Sequence, residues 1–109
     1  MSTTLIAPPA RLSALFRQLA DQWRSETQFL SSTTAICTHP AYQRIIGLGP
    51  QVIPLILAEL EKQPAHWFWA LQALTGENPV RVADQGNVPA MTTAWLTWGR
   101  DKGRIAFPA

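Results

Sequence analysis

The reactive side chains of this sequence are one cysteine, Cys37, and two histidines, His39 and His66. A structural zinc site takes four ligands, chiefly Cys and His, and this chain supplies only three such residues. A Cys37–His66 pair is an arrangement for nucleophilic catalysis, and the place of Cys37 at a predicted helix start would lower the pKa of its thiol. We favour a third interpretation, in which Cys37 is buried and His39 begins a helix. The chain is therefore predicted to be no enzyme and to hold no metal or cofactor.

The carboxylates do not form a pattern typical of acid–base catalysis. Glu59 and Glu61 are two positions apart on a predicted helix, so they leave it from different faces and make no dyad. We expect both on a solvated face. Glu77 and Asp84 lie in a predicted loop, where they are candidates for contacting a basic surface of a partner protein.

The five tryptophans are the most informative residues. Trp23, Trp95 and Trp98 fit apolar helical stripes and are predicted to lie in the core. Neighbouring helix positions are about 100° apart, so Trp67 and Trp69 point in nearly opposite directions. The inner stripe of this helix consists of Trp67, Ala70, Leu71 and Leu74.

Trp69 falls off that stripe, together with Ala73. Either the helix is packed on both sides and Trp69 is buried, which the sequence favours, or the ring is left exposed for a partner. The second arrangement indicates binding to another protein, because tryptophan is enriched among the binding hot spots of protein interfaces. It predicts a partner-binding surface of Phe68 and Trp69, with Glu77 and Asp84 from the following loop.

A second candidate surface is basic. Arg100, Lys102 and Arg104 cluster near the C-terminus, and Arg81 lies in the predicted loop. The acidic Asp101 lies within the cluster and reduces its net positive charge. Nucleic-acid binding through these four basic side chains requires them to converge on one face. The overall balance of nine Lys and Arg against seven Asp and Glu is only weakly basic.

Composition indicates a globular chain of one domain. The sequence has 109 residues, of which 47% are hydrophobic and 15% are charged, the reverse of the balance in disordered chains. A single cysteine excludes an internal disulfide. No basic residue precedes the short apolar stretch near the N-terminus, so a signal peptide is not expected. No apolar run approaches the roughly 20 residues of a membrane-spanning helix, and a cytoplasmic protein is expected.

Periodicity and breaker residues predict an all-α fold, a compact bundle of about five helices. A flexible lead-in (1–9) precedes a single helical domain (10–103), and a tail (104–109) follows it. The long first helix carries an apolar stripe that ends at Leu30, and Ser31 to Thr34 stop it because short hydroxyl side chains compete for backbone hydrogen bonds. The predicted helices cover 10 to 31 or 32, about 40–48, 50–62, 65–75 and 89–99, with a loop at 77–88.

The run from Ile45 to Leu60 resembles the inside of a HEAT-type repeat. Gly49 stands at the turn between two predicted helices, and Pro54, Leu55 and Leu60 match the opening of the second helix. The segment from Trp67 to Gly76 is similar to the first helix of a following repeat. The resemblance covers about residues 40–76 and implies a HEAT-like helical hairpin. It lacks a second full period, and repeat arrays generally need about three units, so the first and last helices must act as caps.

The stretches from His39 to Gln43, Trp67 to Leu71 and Thr75 to Pro79 also resemble a group of small uncharacterised bacterial proteins. That resemblance implies a bacterial or phage origin and no particular activity. The function expected from the whole sequence is non-catalytic protein–protein interaction, of the antitoxin, immunity or accessory-subunit type. The expected partner is another protein or a second copy of the chain, and no membrane binding is expected. The alternative function is that of a nucleic-acid-binding accessory protein.

Overall fold

The computed structural model describes residues 9–104, which contain six α-helices, two 3-10 turns and no strand. The helices are α1 (Ala10–Thr27), α2 (Thr33–Cys37), α3 (Pro40–Gly47), α4 (Ile53–Lys62), α5 (Phe68–Thr75) and α6 (Val88–Asp101). The 3-10 turns are Pro50–Val52 and Val82–Asp84. The prediction of an all-α bundle is confirmed, with one helix more than the five expected.

The extra helix comes from the hydroxyl-rich run after α1. The predicted first helix was too long: α1 ends at Thr27, whose Oγ1 donates to the carbonyl of Trp23. Leu30, predicted to lie on the buried stripe, is therefore 45% exposed. Ser32 then begins α2, because its side-chain oxygen accepts a hydrogen bond from the Ala35 N–H. The hydroxyl run that was predicted to stop the first helix therefore begins the next one instead.

Prolines stand where their missing N–H costs little. Pro40 opens α3 directly after His39, whose Nδ1 accepts from the Ala41 N–H at 3.0 Å. The interpretation of His39 as a helix-start residue is thereby confirmed. Pro54 lies in the first turn of α4, as expected, where backbone N–H groups have no partner within the helix. Between the two helices Gly49 takes a φ of 90°, which permits the sharp turn.

All six α-helices contribute to one hydrophobic core, in which α1 packs mainly on α3 and α4 on α6. Its largest fully buried side chains are Trp67, Trp95, Tyr42, Phe16, Ile45, Ile53, Ile56, Leu57, Leu60 and Leu71. Trp23 and Trp98 are buried as well, so the predicted core positions of the three stripe tryptophans are confirmed.

An aromatic cluster joins the parts of the core that are distant in sequence. The ring of Trp67 lies 4.7 Å from Trp23 and 5.8 Å from both Phe16 and Tyr42, measured between centroids. Trp23 donates its indole N–H to the carbonyl of Ile36. That carbonyl would normally receive the N–H four residues later, which is absent because residue 40 is proline.

The chain ends lie mostly beyond the described range. Of the predicted lead-in only Pro9, and of the predicted tail only Arg104, fall within it. Within residues 9–104, no helix is both long and apolar enough to cross a membrane.

Candidate functional site

The outward side of α5 presents an aromatic ring beside small and neutral residues. Trp69, Gln72 and Ala73 are three and four positions apart, so they lie on one face of the helix, and all three are exposed. Trp69 keeps 41% of its surface exposed. Among the described residues these three line an open groove of about 460 Å³. We refer to Trp69, Gln72 and Ala73 as the outer face of α5.

The position of Trp69 corrects one expectation. The sequence favoured its burial in a helix packed on both sides, but within residues 9–104 the core covers α5 on one side. Trp67, Ala70 and Leu71 are fully buried, and Leu74 packs partly on the core. The predicted inner stripe is confirmed, and the second arrangement, with an exposed aromatic, is the observed one.

The beginning of α5 is fixed by a side chain from α3. Trp67, the residue before the helix, makes no capping hydrogen bond with its side chain. Instead the hydroxyl of the buried Tyr42 accepts from the Ala70 N–H at 2.9 Å and donates to the His66 carbonyl at 2.8 Å. Burial raises the pKa of Tyr42 far above its ordinary value, so the hydroxyl keeps the proton that it donates. Tyr42 therefore holds the first turn of α5, and with it Trp69, against the core.

The end of α5 is fixed by Gly76 and the chain that follows. Gly76 adopts a φ of 70°, and its N–H donates to the carbonyl of Gln72. The Thr75 hydroxyl donates to the Leu71 carbonyl and accepts from the Glu77 N–H. Both ends of α5 are thus held by hydrogen bonds, and its outer face is presented on a fixed element.

The three other residues of the predicted partner surface make contacts with other parts of the chain. Phe68 is half-buried and packs against the core. Glu77 accepts a hydrogen bond from the Trp98 indole N–H at 3.2 Å and lies 4.0 Å from the Lys102 ammonium. Asp84 pairs with Arg81 at 3.1 Å. Of that predicted set, Trp69 is the aromatic residue that faces outward.

The predicted basic surface is largely neutralised by ion pairs. Arg81 is paired with Asp84, which raises the pKa of the guanidinium. Arg100 contacts Glu61 at 3.3 Å, and Lys102 lies near Glu77. Arg104 is half-buried, and its backbone N–H donates to the Gly99 carbonyl.

Among the described residues, the Cys37 thiol contacts the main chain of His66 and makes no hydrogen bond to a histidine ring. Cys37 ends α2 instead of beginning a helix, and burial raises the pKa of its thiol, contrary to the lowering considered from sequence. Its Sγ lies 3.9 Å from the main-chain oxygen of His66. His39 uses its second ring nitrogen to contact Glu26 at 2.8 Å. Within residues 9–104, no three His, Cys, Asp or Glu side chains come together as metal ligands would.

Glu59 is the polar residue that the sequence interpretation misplaced. It is 5% exposed instead of lying on a solvated face, between Arg17, which donates two hydrogen bonds to it, and Arg24, whose guanidinium nitrogen lies 2.9 Å away. The bonds from Arg17 lower the pKa of Glu59, and burial opposes them. The signal for burial was its spacing, three residues after Ile56 on the inner stripe of α4. Glu61 is exposed, as expected.

Comparisons of the chain with protein-family models, with curated proteins and with solved structures gave no match in any of the three.

Proposed function

We propose that this chain is a non-catalytic protein–protein interaction module that docks through the outer face of α5. The observation that carries the proposal is the exposed ring of Trp69 on a helix whose two ends are fixed. An exposed tryptophan on a fixed helix loses little conformational freedom on binding, and tryptophan is enriched among hot spots.

The lack of charged residues along α5 also supports a protein partner. No Asp, Glu, Lys or Arg occurs between Gln63 and Gly76, and the centres of protein interfaces are depleted of charged side chains. Nucleic-acid binding instead depends on unpaired cationic groups that contact phosphates. The ion pairs of Arg81, Arg100 and Lys102 therefore favour the protein partner over the nucleic-acid alternative.

The biological setting that we propose is a bacterial or phage cytoplasmic system. There the chain would act as an antitoxin, an immunity protein or an accessory subunit. The resemblance to small bacterial proteins supports the setting, and the HEAT-like resemblance of residues 40–76 supports a scaffold for recognition.

The first test is a pull-down that depends on Trp69. Tagged wild type and Trp69→Ala are each incubated with nuclease-treated and with untreated lysate of the source cells, and captured proteins are quantified by mass spectrometry. We expect Trp69→Ala to reduce capture of a dominant partner by about tenfold or more, the size of a hot-spot loss. Because Trp69 keeps 41% of its surface exposed, the substitution should cost less stability than the roughly 3–5 kcal/mol of a fully buried tryptophan, and the variant should remain folded.

The matched control is Phe29→Ala, since Phe29 is 92% exposed and lies outside α5. This variant should capture the partner as wild type does. Capture that is unaffected by Trp69→Ala, or that disappears after nuclease treatment, would contradict the proposal. A large fall in the melting temperature of Trp69→Ala would show instead that the ring serves stability.

A further inference from the structure

The end of α6 turns the chain back toward the helix. Gly103 adopts a φ of 70°, and its N–H donates to the carbonyl of Arg100 at 3.1 Å. The next N–H, that of Arg104, donates to the carbonyl of Gly99 at 2.7 Å. These two bonds form a Schellman motif, in which the residue after the glycine commonly packs back on the last turn of the helix. Arg104 is half-buried, so the chain leaves α6 beside Gly99 and Trp98 instead of continuing along the helix axis.

This point of exit lies next to the end of α5. The Trp98 indole N–H donates to Glu77 at 3.2 Å, and the Lys102 ammonium lies 4.0 Å from the same carboxylate. Glu77 directly follows Gly76, the residue that ends α5. The chain therefore leaves the described range close to the C-terminal end of α5, where the outer face ends at Ala73.

The sequence beyond Arg104 has one apolar side. Residues 105–109 read Ile-Ala-Phe-Pro-Ala. The residue before a proline is restricted to extended backbone conformations, which applies to Phe107. In an extended chain, side chains two positions apart point to the same side, so Ile105 and Phe107 belong to one apolar side of this segment.

We propose that residues 105–109 lie along the outer face of α5, cover Trp69 and compete there with the protein partner. The competition rests on the proposed function, because it concerns the same surface. The contact within the chain rests on the exit of the chain beside α5 and on the match between the two apolar surfaces.

The spacing of the two surfaces agrees. Ile105 and Phe107 are two residues apart, which is about 6.6 Å in an extended chain. Ala73 and Trp69 are four residues apart, which is about 6 Å along a helix. A chain that arrives at the C-terminal end of α5 and runs toward its beginning meets Ala73 first. Ile105 then lies on this alanine and Phe107 lies on the ring of Trp69, where the open groove of about 460 Å³ receives it.

The small size of the face suits a segment of the same chain. Stable interfaces between separate proteins bury about 800 Å² on each partner, whereas α5 is only about 12 Å long. A tethered segment needs less area, because it does not lose the translational and rotational freedom of a separate molecule. A short tether gives an effective concentration on the order of 1 mM. A contact with an untethered dissociation constant of about 1 mM is then formed about half of the time.

The test is NMR spectroscopy of the full chain with Phe107→Ala. In wild type we expect nuclear Overhauser contacts between the Phe107 ring and the Trp69 indole, and the Trp69 signals should not depend on protein concentration. Phe107→Ala should remove these contacts and shift the signals of Trp69 and Ala73. Phe29→Ala is the matched control, since it makes the same change at a side chain that is 92% exposed, and it should leave both signals in place.

Two further measurements use the same variant. The peptide Arg-Ile-Ala-Phe-Pro-Ala, blocked at both ends and added to Phe107→Ala, should return the Trp69 signal about halfway to its wild-type position at about 1 mM. The same peptide with alanine in place of phenylalanine should not. Phe107→Ala should also increase capture of the partner from lysate about twofold, because the outer face is then free in every molecule instead of in about half of them.

Trp69 signals that are the same in wild type and Phe107→Ala would overturn the inference, and so would signals that shift equally in Phe29→Ala. Trp69 signals that move with protein concentration would assign the face to a second copy instead. Failure here is distinguishable from failure of the proposed function. Trp69-dependent capture without the Phe107 contact keeps the function and removes residues 105–109 from the face, whereas the contact without any capture removes the function.

Discussion

Glu59 is a carboxylate buried between α1 and α4 and bound by Arg17 and Arg24. Removing one partner of a buried ion pair leaves the remaining charges without compensation, which costs about 3–5 kcal/mol in fully buried cases. The Arg17 side chain is 44% exposed, so water screens part of this effect. Glu59 therefore links the two helices with a strength between that of a buried and that of a surface pair.

We expect Glu59→Gln to lower the free energy of unfolding at neutral pH by about 1–3 kcal/mol, measured by urea denaturation. Glu61→Gln is the matched control. Its carboxylate is exposed and contacts only Arg100 among the ion pairs of the described residues, so it should cost no more than about 0.5 kcal/mol. Equal losses in the two variants would show that Glu59 has no special role in stability.

The same variant has a defined pH dependence. In an unfolded chain the pKa of a Glu side chain is about 4.3. In the folded chain the pKa of Glu59 is lower than this value. Its contribution to stability is therefore fully present above about pH 4.3 and is lost as the pH falls through the lower folded value. The difference between wild type and Glu59→Gln should shrink in this acid range, and a difference that grows on acidification would contradict the assignment.

At the scale of the elements, the ends of α3 and α5 contain glycines in two different conformations. Gly76 ends α5 with a φ of 70°, a region that L-residues rarely adopt. Gly47 is the last residue of α3 and is not among the glycines with positive φ. A Cβ added at either position meets nothing within 4 Å, so backbone conformation alone separates the two sites.

We expect opposite signs for the two alanine substitutions. Gly76→Ala should lower the unfolding free energy by about 1 kcal/mol, because alanine is strained in the left-handed region. Gly47→Ala should raise it by about 0.5 kcal/mol, because alanine has the higher helix propensity and loses less backbone entropy. Chemical denaturation of both variants at low protein concentration measures this difference. The same sign for both would contradict the assigned conformations.

At the scale of the whole molecule, the aromatic cluster around Trp67 holds α1, α3 and the beginning of α5 together. Two of its members differ in their hydrogen bonds. The Trp23 indole N–H donates to the Ile36 carbonyl at 2.9 Å, whereas the buried Trp67 indole N–H has no partner among the described residues. Replacement by phenylalanine therefore removes a hydrogen bond at Trp23 but none at Trp67.

Trp23→Phe and Trp67→Phe should both destabilise the fold, because each leaves a cavity in a close-packed core. Trp23→Phe should cost about 1–2 kcal/mol more, since it also leaves the buried Ile36 carbonyl without a donor. Trp67→Phe removes an N–H that has no partner to lose. Urea unfolding followed by circular dichroism compares them, and an equal or larger cost for Trp67→Phe would disprove this account of the cluster.

Much of the fold follows from local signals in the sequence. Apolar stripes with a helical period identified α1, α3, α4, α5 and α6, and proline and glycine marked most of their ends, because these effects act within one or two turns. The same periodicity placed Trp67 inward and showed that Trp69 points away from it. The helix α2 was missed because its cap, Ser32, lies in a hydroxyl run that is equally typical of a helix end.

Tertiary structure decided what lies against each outward-pointing residue. The burial of Glu59 depends on Arg17 and Arg24 from α1, and the start of α5 depends on the hydroxyl of Tyr42 from α3. Contacts between residues so far apart in sequence leave no local pattern. For the same reason the sequence determined that Trp69 faces away from the inner stripe, but only the packing of the helices determined that nothing among the described residues covers the ring fully.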